Sequence, residues 1–185
     1  MANTSLKAPP CNLKWQHFAE KVLEEVGLRE EDELYKDFLD ALSSVPRSEF
    51  VDKALSLRAS EDVSLPIGFG QTISKPSTVV TMLVLAGKLK GKKVLEVGCG
   101  SGYCSALMSV LGAEVYAVEY NSYLAQRARE RLDKLGFYNI ILRCGNGLRG
   151  WSEHSPYDVI IVSAAFKEIP KALYNQLKPQ GGTII

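Results

Sequence analysis

The second half of the chain alternates short apolar runs with longer amphipathic segments. From Lys92 onward, each run of strand length is followed by a segment whose apolar residues recur at helical spacing. This alternation predicts a mostly parallel sheet with helices on both faces. We predict strands near 93–97, 114–118, 139–144 and 158–163, and helices near 101–111, 121–135 and 169–178.

The first third of the chain carries helical patterns instead. Amphipathic helices are predicted over Asn12–Val26, which Gly27 would end, and over Glu31–Ser44. A short third helix is predicted over Arg47–Leu55. Residues 1–11 show no periodicity and are predicted to form a loose N-terminal tail. The pattern therefore favours an α/β fold with an N-terminal helical extension.

Residues 94–103 form the most informative segment of the chain. A buried strand runs there into a turn with glycine at positions 98, 100 and 102, and the turn opens a helix. Glycines without Cβ atoms let a ligand approach the backbone, and a helix N-terminus offers unpaired N–H groups. The segment predicts a site for a nucleotide-type cofactor. The alternative is a tight turn without a ligand, with Glu119 as a surface residue.

The spacing of glycines and acid distinguishes between cofactors. In the dinucleotide fingerprint the third glycine follows the second by three residues, whereas Gly102 follows Gly100 by two. Glu119 ends the second predicted strand, 19 residues after Gly100, which is the usual distance for a carboxylate that binds both ribose hydroxyls. Together these features favour S-adenosylmethionine over a nicotinamide cofactor.

Composition and charge limit the partners. A chain of 185 residues with 46% hydrophobic content suffices for one domain with a sizeable core. A net charge of +1 gives no overall field that would recruit nucleic acid or an anionic membrane. The cysteines at 11, 99, 104 and 144 lack Cys-x-x-Cys spacing, so no metal site is expected. Dispersed thiols without a signal peptide or membrane span predict a cytoplasmic protein.

A second glycine-containing segment, residues 65–76, precedes the predicted sheet. Its glycines, prolines and hydroxyls predict a shaped loop. Backbone N–H groups and the hydroxyls of Thr72 and Ser74 could hold a carboxylate, while Ser77 or Thr78 would cap the next helix. A connector whose hydroxyls bind its own backbone is an equally favoured alternative.

The two glycine segments together carry a family resemblance. Leu-Pro-Ile-Gly-x-Gly-Gln-Thr-Ile-Ser at 65–74, followed by Val-Leu-Glu-Val-Gly-x-Gly-Ser-Gly-Tyr at 94–103, strongly resembles the protein-L-isoaspartate (D-aspartate) O-methyltransferase family. The resemblance extends from about Phe18, through Val45–Val51, to the turn at Gly181-Gly182. It therefore covers most of the chain.

The resemblance implies a fold, a reaction and partners. The fold is a Rossmann-like S-adenosylmethionine-dependent methyltransferase sheet, with N-terminal helices and substrate loop over 12–76 and a cofactor-binding α/β part over 77–185. The activity is methylation of the abnormal carboxylate of L-isoaspartyl residues in damaged proteins, which initiates their repair and yields S-adenosylhomocysteine. Isoaspartyl peptides and proteins are the expected partners, with no nucleic acid or membrane.

The resemblance also implies roles for individual residues. Ser74 is the catalytic candidate, and the substrate-binding candidates are Gly70, Gln71, Thr72 and Ile73. Glu119 would bind the ribose, and Glu96 would orient the glycine turn. The cofactor-binding candidates are Glu96, Gly98, Cys99, Gly100, Ser101, Gly102, Tyr103, Glu119, Tyr120, Asn146 and Gly147.

Two departures from the family pattern leave alternatives open. The family usually has Gly-Asp-Gly where this chain has Gly145-Asn146-Gly147, so weaker cofactor binding is expected. Family members also continue past the fifth strand into an antiparallel hairpin that this chain is expected to lack, which predicts a monomer or a weak edge-paired dimer. The alternatives are an impaired module that binds cofactor or damaged protein without turnover, and a methyltransferase for a small molecule or RNA. A dehydrogenase fits least well.

Overall fold

The computed structural model describes residues 13–185, so the predicted tail over 1–11 and the first residue of the first predicted helix lie outside the described residues. The helices are α1 (Leu13–Glu25), α2 (Tyr35–Ser44), α3 (Pro76–Ala86), α4 (Tyr103–Val110), α5 (Ser122–Lys134) and α6 (Lys171–Tyr174). The strands are β1 (Leu65–Gly68), β2 (Gln71–Ile73), β3 (Lys93–Val97), β4 (Glu114–Glu119), β5 (Ile140–Cys144), β6 (Val159–Val162) and β7 (Thr183–Ile184). Short 3₁₀ helices span Arg47–Phe50, Lys53–Ser60, Gly147–Arg149 and Ser152–His154.

Five parallel strands form the main sheet in the order β5-β4-β3-β6-β7. Successive residues of β3 pack on opposite faces, Val94 in a cluster that includes α1 to α5 and Leu95 in a cluster with Leu173 of α6. A central parallel strand is buried on both faces, which explains why Val94, Leu95 and Val97 are apolar and why Glu96 between them is buried as well. The predicted α/β fold class is confirmed, and the predicted strands agree with the observed ones within one residue at each end.

The N-terminal helices agree with the pattern only in part. α1 ends before Gly27, whose φ of 78° permits the left-handed conformation that closes the helix. The predicted start of the second helix at Glu31 is wrong, because the Asp32 carboxylate accepts a hydrogen bond from the Arg29 N–H at 2.7 Å and holds a turn there. The predicted third helix is two separate 3₁₀ helices.

Residues 65–73, predicted as a loop, form a two-stranded antiparallel hairpin. Leu65 pairs with Ile73, and the tip Gly68-Phe69-Gly70 has φ angles of 99°, 53° and 69°. Three successive positive φ angles need glycine at the flanking positions and place Phe69 in a conformation that bulky residues rarely adopt. The hairpin therefore turns back on itself within a few residues and lies over the glycine turn.

The predicted cap of α3 is wrong. Pro76 is the first helical residue and Lys75 the N-cap, so neither Ser77 nor Thr78 occupies the capping position. Instead, Asp62 from the preceding segment accepts hydrogen bonds from the Ser77 N–H and hydroxyl, each at 2.7 Å. The start of α3 is thus bound by a carboxylate 15 residues earlier in the chain.

Among residues 13–185, no helix is both long and apolar enough to cross a bilayer.

Candidate cofactor and substrate site

A cavity of about 760 Å³ lies at the carboxyl ends of the central strands. Val97 of β3 and Val118 of β4 form its floor, and residues of the β1–β2 hairpin form one wall. The chain runs outward from β3 to β5 on one side and from β6 to β7 on the other, so the strand order reverses beside β3. Open α/β sheets bind their ligands at such a switch point.

Glu119 joins the glycine turn to the start of α5. Its Oε2 atom accepts a hydrogen bond from the Gly100 N–H at 2.9 Å, and its Oε1 atom accepts one from the Asn121 N–H at 2.9 Å. The residue is 7% exposed and lines the cavity. A carboxylate has about four acceptor positions, so both oxygens can still accept from ribose hydroxyls. The two residues that the sequence places 19 positions apart are thus joined by a direct hydrogen bond.

Glu96 lies beneath the glycine turn, inside the protein. Its carboxylate accepts hydrogen bonds from the hydroxyls of Ser105 on α4 and Ser163 after β6, the latter at 2.8 Å. Burial raises the pKa of Glu96, and the two hydroxyl bonds oppose that rise. The carboxylate therefore fixes α4 and the segment after β6 relative to β3. Within residues 13–185 it forms no hydrogen bond with the backbone of the turn, so its role in orienting the turn stays a prediction.

Asn146 and Gly147 also line the cavity. The Asn146 side-chain oxygen accepts a hydrogen bond from the Leu148 N–H at 3.0 Å, which closes a local turn. The amide oxygen has two lone pairs, so it keeps one acceptor position, with which we expect it to accept from the adenine amino group of the cofactor. The family's aspartate would have a second oxygen for the ligand.

We expect Asn146→Asp to strengthen cofactor binding. One carboxylate oxygen would replace the amide oxygen at Leu148, and the other would form a charge-assisted bond to the adenine amino group. The gain should be about 1 kcal/mol, or roughly fivefold in affinity, as expected for replacing a neutral by a charged acceptor. Calorimetric titration with S-adenosylhomocysteine measures it. Unchanged or weaker binding by the variant would contradict this assignment of Asn146 to the adenine end.

Gly147 is required by packing against β3. A Cβ at this position would lie 2.4 Å from the Cγ1 atom of Val97, whereas one at Gly145 would meet nothing closer than 3.5 Å. We expect Gly147→Ala to destabilise the protein by about 1–3 kcal/mol, because overpacking displaces neighbouring atoms. For a chain of this size the melting temperature should fall by several degrees, at roughly 2–4 °C per kcal/mol. Gly145→Ala is the control, and an equal fall in both variants would refute the packing argument.

The β1–β2 hairpin and the residue that follows it bring polar side chains to the cavity. Gln71, Thr72 and Ser74 line the cavity, and within residues 13–185 their side chains form no hydrogen bonds. At the tip, Phe69 contacts Tyr123 of α5 with ring centroids 5.1 Å apart. The connector alternative requires the Thr72 and Ser74 hydroxyls to form hydrogen bonds with their own backbone. No such bond exists within residues 13–185. Their polar atoms are available to a ligand instead.

The predicted site residues divide into two groups. Those that line the large cavity are Gly70, Gln71, Thr72, Ser74, Gly98, Gly100, Glu119, Tyr120, Asn146 and Gly147. Those that line a smaller adjoining space beside Ser74 are Ile73, Glu96, Cys99, Ser101 and Tyr103. Gly102 lines neither, because it faces Leu132 of α5, where a Cβ would lie 3.2 Å from the Cδ1 atom. Gly102 therefore packs against the fold, while Cys99 and Tyr103 are buried beside the smaller space, and their predicted cofactor contacts stay predictions.

Several cavity residues were missed by sequence reasoning. The segment after β6 lines the cavity through Ser163, Ala164, Ala165 and Phe166, and Leu148 lines it beside Asn146. Small and apolar residues carry no chemical signature in a sequence. Their position directly after a predicted parallel strand was the available signal, since the carboxyl ends of such strands meet at one edge.

Comparison with known proteins adds a family to this geometry. The family model described as protein-L-isoaspartate (D-aspartate) O-methyltransferase matches residues 20–185. The chain belongs to this family. It is 49% identical over 144 residues to protein-L-isoaspartate O-methyltransferase 2 of Polaromonas sp., covering 78% of this chain and 68% of that protein. It is 47% identical over 147 residues to the Methylorubrum extorquens enzyme, covering 80% and 64%.

Solved structures agree with the family and the fold. A protein-L-isoaspartate O-methyltransferase structure superposes with a TM-score of 0.78 at 35% identity, covering 90% of this chain and 53% of that one. A Plasmodium falciparum protein solved with S-adenosyl-L-homocysteine has a TM-score of 0.75 at 23% identity, covering 92% and 84%, and shares the fold. The chain thus spans about two thirds of the length of the curated family members it matches and about half of the first solved chain.

Proposed function

We propose that this chain transfers a methyl group from S-adenosylmethionine to the carboxylate of L-isoaspartyl residues in damaged proteins. The observation that carries the proposal is the composition of the cavity. Glu119 and the glycine turn line it together with Gln71, Thr72 and Ser74, whose side chains form no hydrogen bond within residues 13–185. A single cavity therefore offers a nucleoside-binding carboxylate and a set of polar groups suited to a second, acidic ligand.

The residues present fit S-adenosylmethionine, the cofactor of the family. Glu119 would accept from the ribose hydroxyls, Asn146 would lie at the adenine, and Gly98 and Gly100 would lie at the methionine part. When bound, the cofactor supplies a methyl group on a sulfonium sulfur, which a carboxylate oxygen accepts directly as the carbon–sulfur bond breaks. The products are a methyl ester and S-adenosylhomocysteine.

The chain's own contribution is orientation. A side-chain carboxylate has a pKa near 3.9, so the nucleophile is already ionised at neutral pH and needs no general base. Gln71, Thr72 and Ser74 would hold the carboxylate in line with the methyl group, which can be worth roughly 7–11 kcal/mol when the geometry is close to that of attack. Hydroxyls suit this better than an arginine, which would stabilise the free carboxylate too strongly.

The family relatives favour this reaction over the alternatives. The Polaromonas and Methylorubrum proteins are both named protein-L-isoaspartate O-methyltransferases, which argues against a methyltransferase for RNA or a small molecule. The glycine turn, Glu119 and the hairpin side chains are all present, which argues against an impaired binding module. Isoaspartyl proteins of the cytoplasm are the proposed substrates, in keeping with the unpaired Cys99, Cys104 and Cys144.

A steady-state assay tests the proposal. The purified chain is incubated with S-adenosylmethionine labelled in the methyl group and an isoaspartyl peptide, and base-labile methyl ester is counted. The matching aspartyl peptide is the control. We expect label on the isoaspartyl peptide alone. Equal labelling of both peptides would contradict the substrate assignment, and absence of label with retained cofactor binding would favour the impaired module.

A further inference from the structure

Arg47 is a fully buried arginine whose guanidinium binds only backbone carbonyls among the described residues. Its Nη1 atom donates to the Ala59 and Glu61 oxygens at 3.2 and 3.4 Å. Its Nη2 atom donates to the Val63 oxygen at 2.7 Å and to the Ser74 oxygen at 3.0 Å. One side chain therefore joins the end of a 3₁₀ helix, the segment before the hairpin and the candidate catalytic residue.

Burial of this charge has a large desolvation cost. Within residues 13–185 no carboxylate forms an ion pair with Arg47, and its Nε atom has no hydrogen-bond partner. Burial lowers the pKa of Arg47, while Tyr103 and Asp62 oppose the shift, and an arginine stays charged at such a site. Apolar residues of similar volume often stabilise a fold at least as well as buried charges do. The arrangement thus points to a positional role beyond stability.

The Ser74 end of the network is the part that meets the cavity. Ser74 connects β2, which ends at Ile73, to α3, whose start is held at Ser77 by Asp62. In the described part of the chain, Arg47 is the only side chain that hydrogen-bonds Ser74. Fixing the Ser74 carbonyl restricts rotation of its backbone and so fixes the Cβ position from which its hydroxyl extends.

We propose that Arg47 is a positioning residue that orients the Ser74 hydroxyl for methyl transfer through the Ser74 carbonyl. This inference deepens the proposed function and rests on it for its kinetic test. The guanidinium fork matters because it reaches several carbonyls at once, whereas a lysine ammonium is a point charge on a flexible stem. Arg47→Lys therefore keeps a hydrogen-bond donor of similar length but loses part of the network.

A double-mutant cycle separates positioning from plain stabilisation. Turnover is measured for wild type, Arg47→Lys, Ser74→Ala and the double variant, well below the melting temperature of each. We expect Arg47→Lys to lower kcat roughly tenfold, since small displacements at a reacting centre cost up to about 100-fold. Cofactor affinity should stay within about twofold of wild type. In the Ser74→Ala background the substitution should have no further effect on kcat, because the group it positions is absent.

The control and the contrary outcome are equally specific. Arg58 lies in the 3₁₀ helix that precedes Glu61, and its side chain is exposed and paired with Glu61 at 3.0 Å. Arg58→Lys should leave kcat unchanged. If Arg47→Lys lowers kcat by the same factor with and without the Ser74 hydroxyl, Arg47 is structural and the proposal is wrong. The same holds if Arg47→Lys lowers cofactor affinity by as large a factor as it lowers kcat.

A second variant and a second readout cover the remaining outcomes. If Arg47→Lys does not fold, the peptide bond between Ser74 and Lys75 is replaced by an ester bond. This replacement weakens the Ser74 carbonyl as a hydrogen-bond acceptor and leaves Arg47 intact. The ester should lower kcat, and unchanged kcat would overturn the proposal. Hydrogen exchange over residues 71–75 needs no substrate, so it tests Arg47 even if the methyl transfer assay fails in the wild type. Faster exchange is expected in Arg47→Lys, and unchanged exchange would contradict positioning.

Discussion

Removing the Ser74 hydroxyl should lower methyl transfer to an isoaspartyl peptide roughly 100-fold, the loss typical when a group that orients a reactant is removed. Ser74 lines both the large cavity and the adjoining smaller space, and its hydroxyl has no partner within residues 13–185. The Ser74→Ala change would remove a proposed ligand contact without breaking a hydrogen bond within residues 13–185. We therefore expect the melting temperature and cofactor affinity to remain close to those of the wild type.

The measurement is kcat for isoaspartyl peptide methylation alongside a calorimetric titration with S-adenosylhomocysteine. Thr78→Ala is the matched control, because Thr78 is an exposed hydroxyl residue on α3 that lines no described cavity. A Ser74→Ala variant with wild-type turnover would remove Ser74 from the catalytic assignment. An equal loss in Thr78→Ala would show that the effect arises from α3 as a whole.

Replacing Glu119 by alanine should weaken cofactor binding about 100-fold or more, since each hydrogen bond to a charged group contributes roughly 1.5–3 kcal/mol. The variant would lose the contacts with the ribose and also the bonds that hold the Gly100 and Asn121 N–H groups. The glycine turn would then be less fixed when the ligand arrives. With saturating cofactor, turnover should recover much of its wild-type value.

Glu119→Gln is the control that separates charge from shape. Glutamine can keep one acceptor oxygen for Gly100 or Asn121, so its loss of cofactor affinity should be intermediate. Affinity is measured by titration with S-adenosylhomocysteine. The assignment of Glu119 to the ribose would be contradicted by an alanine variant that binds as tightly as the wild type, or by one that loses turnover at saturation while retaining affinity.

The sheet and the glycine turn could be predicted from the sequence because their causes are local. β3 carries buried apolar residues on both faces, beside the buried Glu96, which is typical of a parallel strand. The distance from Gly100 to Glu119 follows from one turn, one helix and one strand in succession. In the structure the Gly100 N–H donates a hydrogen bond to the Glu119 carboxylate at 2.9 Å.

The hairpin and the hydrogen bonds that hold the chain after it could not be predicted, because the residues that form those bonds are distant in sequence. β1 and β2 have four and three residues, too few for a clear alternating pattern beside glycine and proline. Asp62 binds Ser77 across 15 residues, and Arg47 binds Ser74 across 27. At Asn146 the missed feature was local, since its side-chain oxygen closes its own turn by accepting a hydrogen bond from the Leu148 N–H.

The most direct test of the account is a single-turnover experiment. The chain is first loaded with methyl-labelled S-adenosylmethionine, bound cofactor is measured, and excess isoaspartyl or aspartyl peptide is added with unlabelled cofactor as a trap. We expect the bound label to appear as base-labile ester on the isoaspartyl peptide and not on the aspartyl peptide. Bound cofactor that exchanges into the trap without labelling the isoaspartyl peptide would contradict a single cavity that holds both reactants.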